Sequence, residues 1–201
     1  MSHSIKNCGI IIIAAGQSKR LGTPKQLLVY EGKTLINRLI DNLKSTFNFP
    51  MVLVLGAYAD KIKSQLIDPT INVMVNDVWT EGMGTSINAG LQEIIKKNAN
   101  LDGVVVLVCD QPFVNSNHIL SLLSLQKKSG KPIAACYYAN ILGTPALFHQ
   151  SVFPELLKLK GDVGAKKLIN EKIEEVDRLH FEQGLLDIDT VEDYLKLIKE
   201  A

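Results

Sequence analysis

The stretch CGIIIIAAGQSKRLGTPKQLL, residues 8–28, decides how the rest of the chain is read. Four consecutive isoleucines, Ile10 to Ile13, run into Ala14, Ala15 and Gly16. A short, β-branched, apolar run bounded by turn residues predicts a strand buried on both faces, as in the middle of a parallel sheet. The small residues at its end let a second backbone or a flat ligand approach closely. The loop that follows, Gln17 to Lys25, is polar and basic and carries a second glycine, Gly22. Within it Arg20 offers a planar fork of donors and Lys25 a point charge, the two cation types that suit phosphate. These features predict the opening of a nucleotide-handling α/β domain.

Outward from this stretch, strand and helix patterns alternate. Further strands are expected at Met51–Leu55, Ile71–Val75, Val104–Cys109, Ile133–Tyr138, Pro145–His149 and near Leu185–Ile188. Between them fall helical patterns, one with Leu35, Leu39, Ile40 and Leu43 on a single face and another carrying Ile87, Leu91, Ile94 and Ile95. Asp60–Leu66, Ser151–Leu159 and Val163–Ile169 read as short helices. Ser116 is the expected cap of a helix that turns Ile119, Leu120 and Leu123 inward. The last helix, Val191–Lys199, is preceded by Asp189 and Glu192 at capping-box spacing. Strands alternating with helices imply an α/β fold of three layers, α/β/α, around a mostly parallel twisted sheet. No repeat, linker or low-complexity stretch interrupts residues 1–201, so one domain is expected.

Composition narrows the function classes. Of 201 residues 46% are hydrophobic, enough for a substantial core, and 22 Lys and Arg nearly balance 21 Asp and Glu. A net charge of +1 carries no broad nucleic-acid or membrane signal, so any basic function is local. Cys8, Cys109 and Cys136 are far apart, have no zinc spacing and are odd in number, which predicts buried thiols in a reducing compartment. Lys6 followed by the apolar run has the outline of a signal peptide. That run is short and leads straight into Ser18-Lys19-Arg20, so it reads as core. No run approaches the ~18 apolar residues of a membrane span, and a soluble cytoplasmic protein is expected.

In a parallel sheet the C-terminal ends of the strands share one edge, where ligands bind. The Ala14–Lys25 loop, the Asn76–Ser86 segment and Asp110 all follow strands, and Asp187 lies near the end of the last expected one. An aspartate ending a valine-rich strand either holds a hard cation or folds a turn on its own backbone; the basic loop beside Asp110 weighs for the cation. Asp187 is a second candidate for metal or substrate, whereas Asp189 reads more simply as a helix cap. Gly82-Met83-Gly84-Thr85-Ser86 opens a helix and reads either as a site for an anion or polar base or as an ordinary cap with a flexible lead-in. Trp79 reads as a packing residue, Lys19 as solvated, and His3, His118, His149 and His180 as surface or structural. There is no GxxxxGK[ST], no GxGxxG after the first strand and no evident nucleophile–base pair. Cations and an acid without a nucleophile suit nucleotidyl transfer, because an acceptor phosphate with a second pKa of ~6 is already ionised and needs no base.

The motif Ala14-Ala15-Gly16-x-Ser18-x-Arg20-Leu21-Gly22-x-Pro24-Lys25 resembles the AAGxSxRMGxxK opening of nucleotidyltransferases with a GT-A-like, Rossmann-like fold. The resemblance continues through Gly82–Ser86, Cys109-Asp110-Gln111-Pro112, Gly143-Thr144-Pro145-Ala146, Gly161-Asp162-x-Gly164-Ala165 and Asp187-Ile188-Asp189-Thr190-x-Glu192-Asp193. It is strongest to the MocA-like branch of the MobA-like enzymes, which contains molybdenum cofactor cytidylyltransferase. The resemblance implies a nucleotide-diphospho-sugar-transferase architecture in which Ala14, Ala15 and Gly16 wrap the nucleotide and Arg20 and Lys25 hold phosphates. It further implies Mg²⁺ on Asp110, with Asp187 a second candidate ligand and Asp189 the alternative to it, and contact of Gly84, Thr85 and Ser86 with the base. Gly143, Thr144, Gly161 and Asp162 would line the acceptor side. Ala15 matches the cytidine-using branch, where guanosine users more often have AGG. The implied substrates are CTP and molybdopterin bearing molybdenum, the product passing to a molybdoenzyme or its chaperone. Guanylyl transfer in the same pathway, cytidylyl transfer to another phosphorylated acceptor, and non-catalytic carriage of a nucleotide-bearing cofactor are the alternatives.

Overall fold

The computed structural model describes residues 5–162 and 164–199. Its centre is a seven-stranded sheet in the order β5-β4-β1-β6-β8-β7-β9. The strands are β1 (Cys8–Ala14), β4 (Met51–Leu55), β5 (Asn72–Val75), β6 (Gly103–Val108), β7 (Ile133–Tyr138), β8 (Ile141–His149) and β9 (Val176–His180). Two short strands, β2 (Val29–Tyr30) and β3 (Lys33–Thr34), form a separate hairpin, with positive φ at Glu31 and Gly32 matching a two-residue turn. All seven main strands run parallel except β8, which is antiparallel to both β6 and β7. The start of β8 therefore lies at the same edge as the ends of β6 and β7.

β1 is buried along its whole length, and side-chain alternation divides it between two cores. Ile10, Ile12 and Ala14 pack with α1 (Leu35–Lys44) and α4 (Ser116–Ser129), while Ile11 and Ile13 pack with α3 (Met83–Lys97) and α6 (Ala165–Glu171). Full burial of each such isoleucine is worth about 1.5–3 kcal/mol, so the four-isoleucine run ties both layers to one strand. Gly90 sets the closeness of α3: a Cβ there would stand 2.6 Å from Ile11 Cγ2 and 2.8 Å from Val54 Cγ2. A third cluster, Leu21, Tyr30, Leu35, Ile188 and Leu197, joins the opening loop and the hairpin to α7 (Val191–Lys199).

Several local expectations are corrected. Leu185–Ile188 is not a strand; Leu185 closes a 3₁₀ turn, Leu185 and Leu186 are exposed, and Ile188 N–H makes a single bond to Asp110 O at 3.0 Å. The strand near this end of the chain is β9, whose Val-Asp-Arg-Leu-His sequence buries only Val176 fully because it lies at the sheet edge beside β7. β8 begins four residues before Pro145, which the sheet tolerates because the β7–β8 register shifts there, between Ala135 and Cys136. The helix expected at Asp60–Leu66 is α2 (Ala59–Lys63), and the Ser151–Leu159 pattern forms a 3₁₀ turn followed by α5 (Phe153–Leu156). α4 is capped by Asn115 rather than Ser116, with the His118 ring accepting from Asn115 N–H at 3.2 Å. α7 is held by Thr190 and Asp193, not by Asp189 and Glu192: Asp193 accepts from Thr190 N–H at 2.9 Å and donates its own N–H to Thr190 Oγ1 at 3.2 Å. That exchange leaves the Asp189 carboxylate for other work.

Candidate active site

The opening loop is folded by its own polar atoms. Gln26, fully buried, donates to Ala14 O at 2.8 Å and Gly16 O at 3.3 Å, closing the chain back on the end of β1. Ser18, at φ +52°, accepts from Leu21 N–H and Gly22 N–H through its carbonyl. Its hydroxyl accepts from Lys25 N–H at 3.1 Å. Lys25 is thus delivered to the sheet edge by a pinned backbone, while Gly16 and Arg20 remain exposed.

At that edge the Lys25 ammonium donates to Asp110 Oδ2 and, at 2.9 Å, to Asp189 Oδ1. The side chains of Lys25 and Asp110 are only 14% and 17% exposed, so the pair is largely withdrawn from water. Arg20 donates to the other oxygen, Asp189 Oδ2, at 2.6 Å, but is 68% exposed. Burial alone would lower the Lys25 pKa; the charge and hydrogen bond of Asp110 and the hydrogen bond of Asp189 overcome it and raise Lys25 above the ordinary lysine range. Burial works against the Asp189 carboxylate too, yet Lys25 and Arg20 hold it below its usual value. Asp187 goes the other way. Desolvation of its carboxyl, then the negative charge of Asp110, push it up to about 7, although the residue as a whole keeps an exposed surface.

Asp110 Oδ1 is buried without a hydrogen-bond partner. A hard divalent cation prefers carboxylate oxygens, so this orphaned acceptor, with Asp187 close enough to repel it electrostatically, fits such an ion. No cluster of three His, Cys, Asp or Glu side chains suited to a metal occurs among the described residues.

A cavity of about 300 Å³ adjoins Asp110 and Asp187, lined also by Gln111, Tyr138, Gly143 and Thr144. Gln111 is fixed there by donating to Gly184 O at 2.8 Å and Tyr138 Oη at 3.3 Å. Gly161 and Asp162 do not line this cavity. Gly161 O instead accepts from Gly84 N–H at 3.0 Å, so that helix-start donor is already used. Gly82, at φ +114°, admits the contact because a Cβ there would lie 2.2 Å from Gly161 C. Thr85 and Ser86 are likewise engaged: buried Asn76 donates to Thr85 Oγ1 at 2.9 Å and Ser86 Oγ at 3.0 Å, and Thr85 donates to Gly82 O at 2.8 Å. A larger cavity, about 530 Å³, is lined by Arg38, Asn42, Phe113 and Asn115 together with Cys109 and Gln111, the neighbours of Asp110.

Three arrangements have no clear signature in the sequence. Asp189 has the spacing of a helix cap yet binds Lys25 and Arg20, and Gln26 and Asn76 act on backbone and hydroxyl groups that no spacing rule brings together. The cysteines are as expected: all three are free and buried, and burial pushes Cys8 and Cys136 up to about 12 and Cys109 well above the usual thiol range. They are poor nucleophiles in this state. No helix among the described residues is long and apolar enough to cross a membrane.

A mostly parallel sheet with a basic loop and a strand-end acid at its C-terminal edge is the arrangement of a nucleotide-handling α/β domain. Residues 10–176 match the MobA-like NTP transferase domain, and the chain belongs to that family. It is 30% identical over 198 residues to nicotine blue oxidoreductase from Paenarthrobacter nicotinovorans, covering 94% of this chain and 95% of that protein. It is 20% identical over 149 residues to a probable molybdenum cofactor guanylyltransferase from a Geobacillus strain, covering 74% and 73% of the two chains. The crystal structure of Rv0371c from Mycobacterium tuberculosis superposes with a TM-score of 0.83 at 29% identity, over 98% of this chain and 100% of that one. The manganese complex of that protein gives 0.79 at 26% identity with the same coverage.

Proposed function

We propose that this chain is a Mg²⁺-dependent cytidylyltransferase that joins CTP to a phosphorylated acceptor, the molybdenum-bearing molybdopterin cofactor, and releases pyrophosphate. The observation that carries the reading is Lys25, held between Asp110 and Asp189 beside the buried, unpartnered oxygen of Asp110. Asp110 with Asp187 would hold the divalent ion, which when bound supplies charge neutralisation on the triphosphate. Lys25 and Arg20 exchange carboxylate for phosphate oxygens and stabilise the negative charge that grows on the departing pyrophosphate. The acceptor phosphate, ionised near neutrality, attacks the α-phosphorus without a general base. The site is consistent with this in offering no activated thiol.

Ala14, Ala15 and Gly16 approach the nucleotide, and Gly84, Thr85 and Ser86 shape the base side, with Asn76 fixing the two hydroxyls. Gly143 and Thr144, which line the 300 Å³ cavity, face the acceptor. Gly161, by accepting from Gly84 N–H, braces the start of α3 on the base side rather than facing the acceptor. The choice of CTP rests on Ala15, a single methyl group. A cytoplasmic location agrees with the three reduced thiols. Presence of both Lys25 and Asp110 favours the enzyme over a carrier, since carriage alone requires no triphosphate site.

The test is pyrophosphate release from CTP, GTP, ATP and UTP in competition, with the molybdenum cofactor or phosphorylated alcohols as acceptors. The expected result is release dependent on CTP and the molybdenum cofactor. Preference for GTP transfers the protein to guanylyl transfer, and preference for a phosphorylated alcohol changes the acceptor. Because one relative is named an oxidoreductase, reduced nicotinamide dinucleotides are included; their oxidation without pyrophosphate release overturns the transferase reading.

A further inference from the structure

We propose that the outer face of α7 is a self-association surface on which a second copy of this chain docks, the two helices running antiparallel. Val191, Leu195 and Ile198 recur at i, i+4 and i+7 and so share one face of this helix. They are 46%, 45% and 42% exposed, so the face stands uncovered in the single chain. Val29 extends the patch: it is exposed too, and its carbonyl accepts from Tyr194 Oη at 2.8 Å at the flank of the helix.

α7 is anchored to its own domain by other residues. Leu197 is buried and Tyr194 half-buried against the third apolar cluster, with Leu21, Tyr30, Leu35 and Ile188. Val191, Leu195 and Ile198 take no part in that cluster. At about 100° per residue, the anchor lies on one side of the stripe, and Glu192 and Lys199 border the stripe on the other.

Those two charges select the occupant. Neither Glu192 nor Lys199 has an ion pair among the described residues. They stand about 10 Å apart along the axis, two turns rather than one, beyond the i+3 and i+4 reach of pairing within a helix. In an antiparallel pair with Leu195 on the two-fold axis, Val191 of one copy meets Ile198 of the other. Glu192 of each copy then meets Lys199 of the other, so the complementary contact is made twice. A parallel pair would instead set like charges level along the axis. The helix is only about 14 Å long, so the interface falls below standard size and the dimer is weak. Pairing would also brace the opening loop from behind, since Leu197 of the same helix packs with Leu21.

The experiment is sedimentation velocity of the whole chain over a range of about 5 to 500 µM, which brackets a weak interface. Wild type is expected to form a dimer that is half-assembled at about 10–100 µM. Glu192→Lys and Lys199→Glu each place like charges at both rim contacts, and each is expected to weaken assembly about 10-fold, as is Leu195→Ser at the axis. An equimolar mixture of the two charge variants brings opposite charges together at both contacts. The mixed dimer, and the Glu192→Lys/Lys199→Glu double variant, are therefore expected to return to within about 3-fold of wild type. Melting temperature verifies that every variant folds. A wild type that stays monomeric throughout the range overturns the proposal. So does a wild-type dimer that Leu195→Ser or the charge reversals leave unchanged, which places self-association on another surface. Single variants that weaken assembly but whose mixture stays weak refute the antiparallel register, and the proposal with it.

Discussion

Replacing Lys25 by Met keeps the aliphatic stem and deletes one charge at the most crowded electrostatic point of the molecule. Asp110, mostly buried, then faces Asp187 and Asp189 with no ammonium between them. Removing one partner of a fully buried ion pair costs about 3–5 kcal/mol. Here Asp189 is 41% exposed and water reaches part of the gap, so a loss of about 2–3 kcal/mol is expected. For a chain of this size that lowers the melting temperature by about 5–10 °C. The deficit depends on pH with a definite sign. Without Lys25 the folded-state pKa of the acid group rises above its unfolded value, so the native state binds the extra proton and gains from acid. The added stability is present at low pH and disappears as pH rises through the raised folded value. The deficit of Lys25→Met relative to wild type is therefore largest at pH 8 and smaller at pH 5.5. Melting curves in EDTA at the two pH values measure it. An unchanged melting temperature, or a deficit equal at both, refutes the idea that Lys25 neutralises a carboxylate cluster.

The same linkage acts on Asp187 in the unaltered protein. Its folded pKa of about 7 lies above the ordinary 3.8, so its contribution is complete below the unfolded value and fades as pH rises through about 7. In EDTA, Asp187→Asn is expected to melt close to wild type only near pH 4, to gain on it as pH rises to about 7 and to hold that advantage at pH 8; parallel pH profiles contradict this. Gly82→Ala forces a Cβ into the Gly161 carbonyl carbon at a positive φ, and a loss of more than about 2 kcal/mol is expected, with CTP binding weakened because the α3 start moves. Wild-type denaturation and CTP titration in that variant count against the Gly82–Gly161 contact.

What was legible in the sequence had short-range causes. The isoleucine run could only be a two-faced strand, and the side-chain alternation that divides Ile10 and Ile12 from Ile11 and Ile13 follows from that alone. The positions of Lys25 and Asp110 were legible because each follows a strand that ends at the same edge. What was hidden depended on distance or on competing local signals. Asp189 satisfies a capping pattern on paper, yet Thr190 and Asp193 one residue later satisfy it better in space. β9 buries one valine fully and Leu179 partly among polar residues, the weak pattern of an edge strand that is easily taken for a loop. The seating of Gly161 against Gly82 joins segments nearly eighty residues apart and has no local signature. The hydroxyls of Thr85 and Ser86 looked available to a ligand because nothing nearby announced that Asn76 would bind them.

The most direct test of the account is nucleotide-dependent thermal stabilisation of wild type and Asp110→Ala with CTP, GTP, ATP and UTP, each with and without Mg²⁺. A ligand that binds only the folded state raises the melting temperature by mass action, about 2.7 kcal/mol at a hundredfold excess over Kd. The account predicts the largest shift with CTP, dependent on Mg²⁺ and absent in a folded Asp110→Ala. An equal shift in that variant, or no shift with any nucleotide, contradicts a metal–triphosphate site built on Asp110.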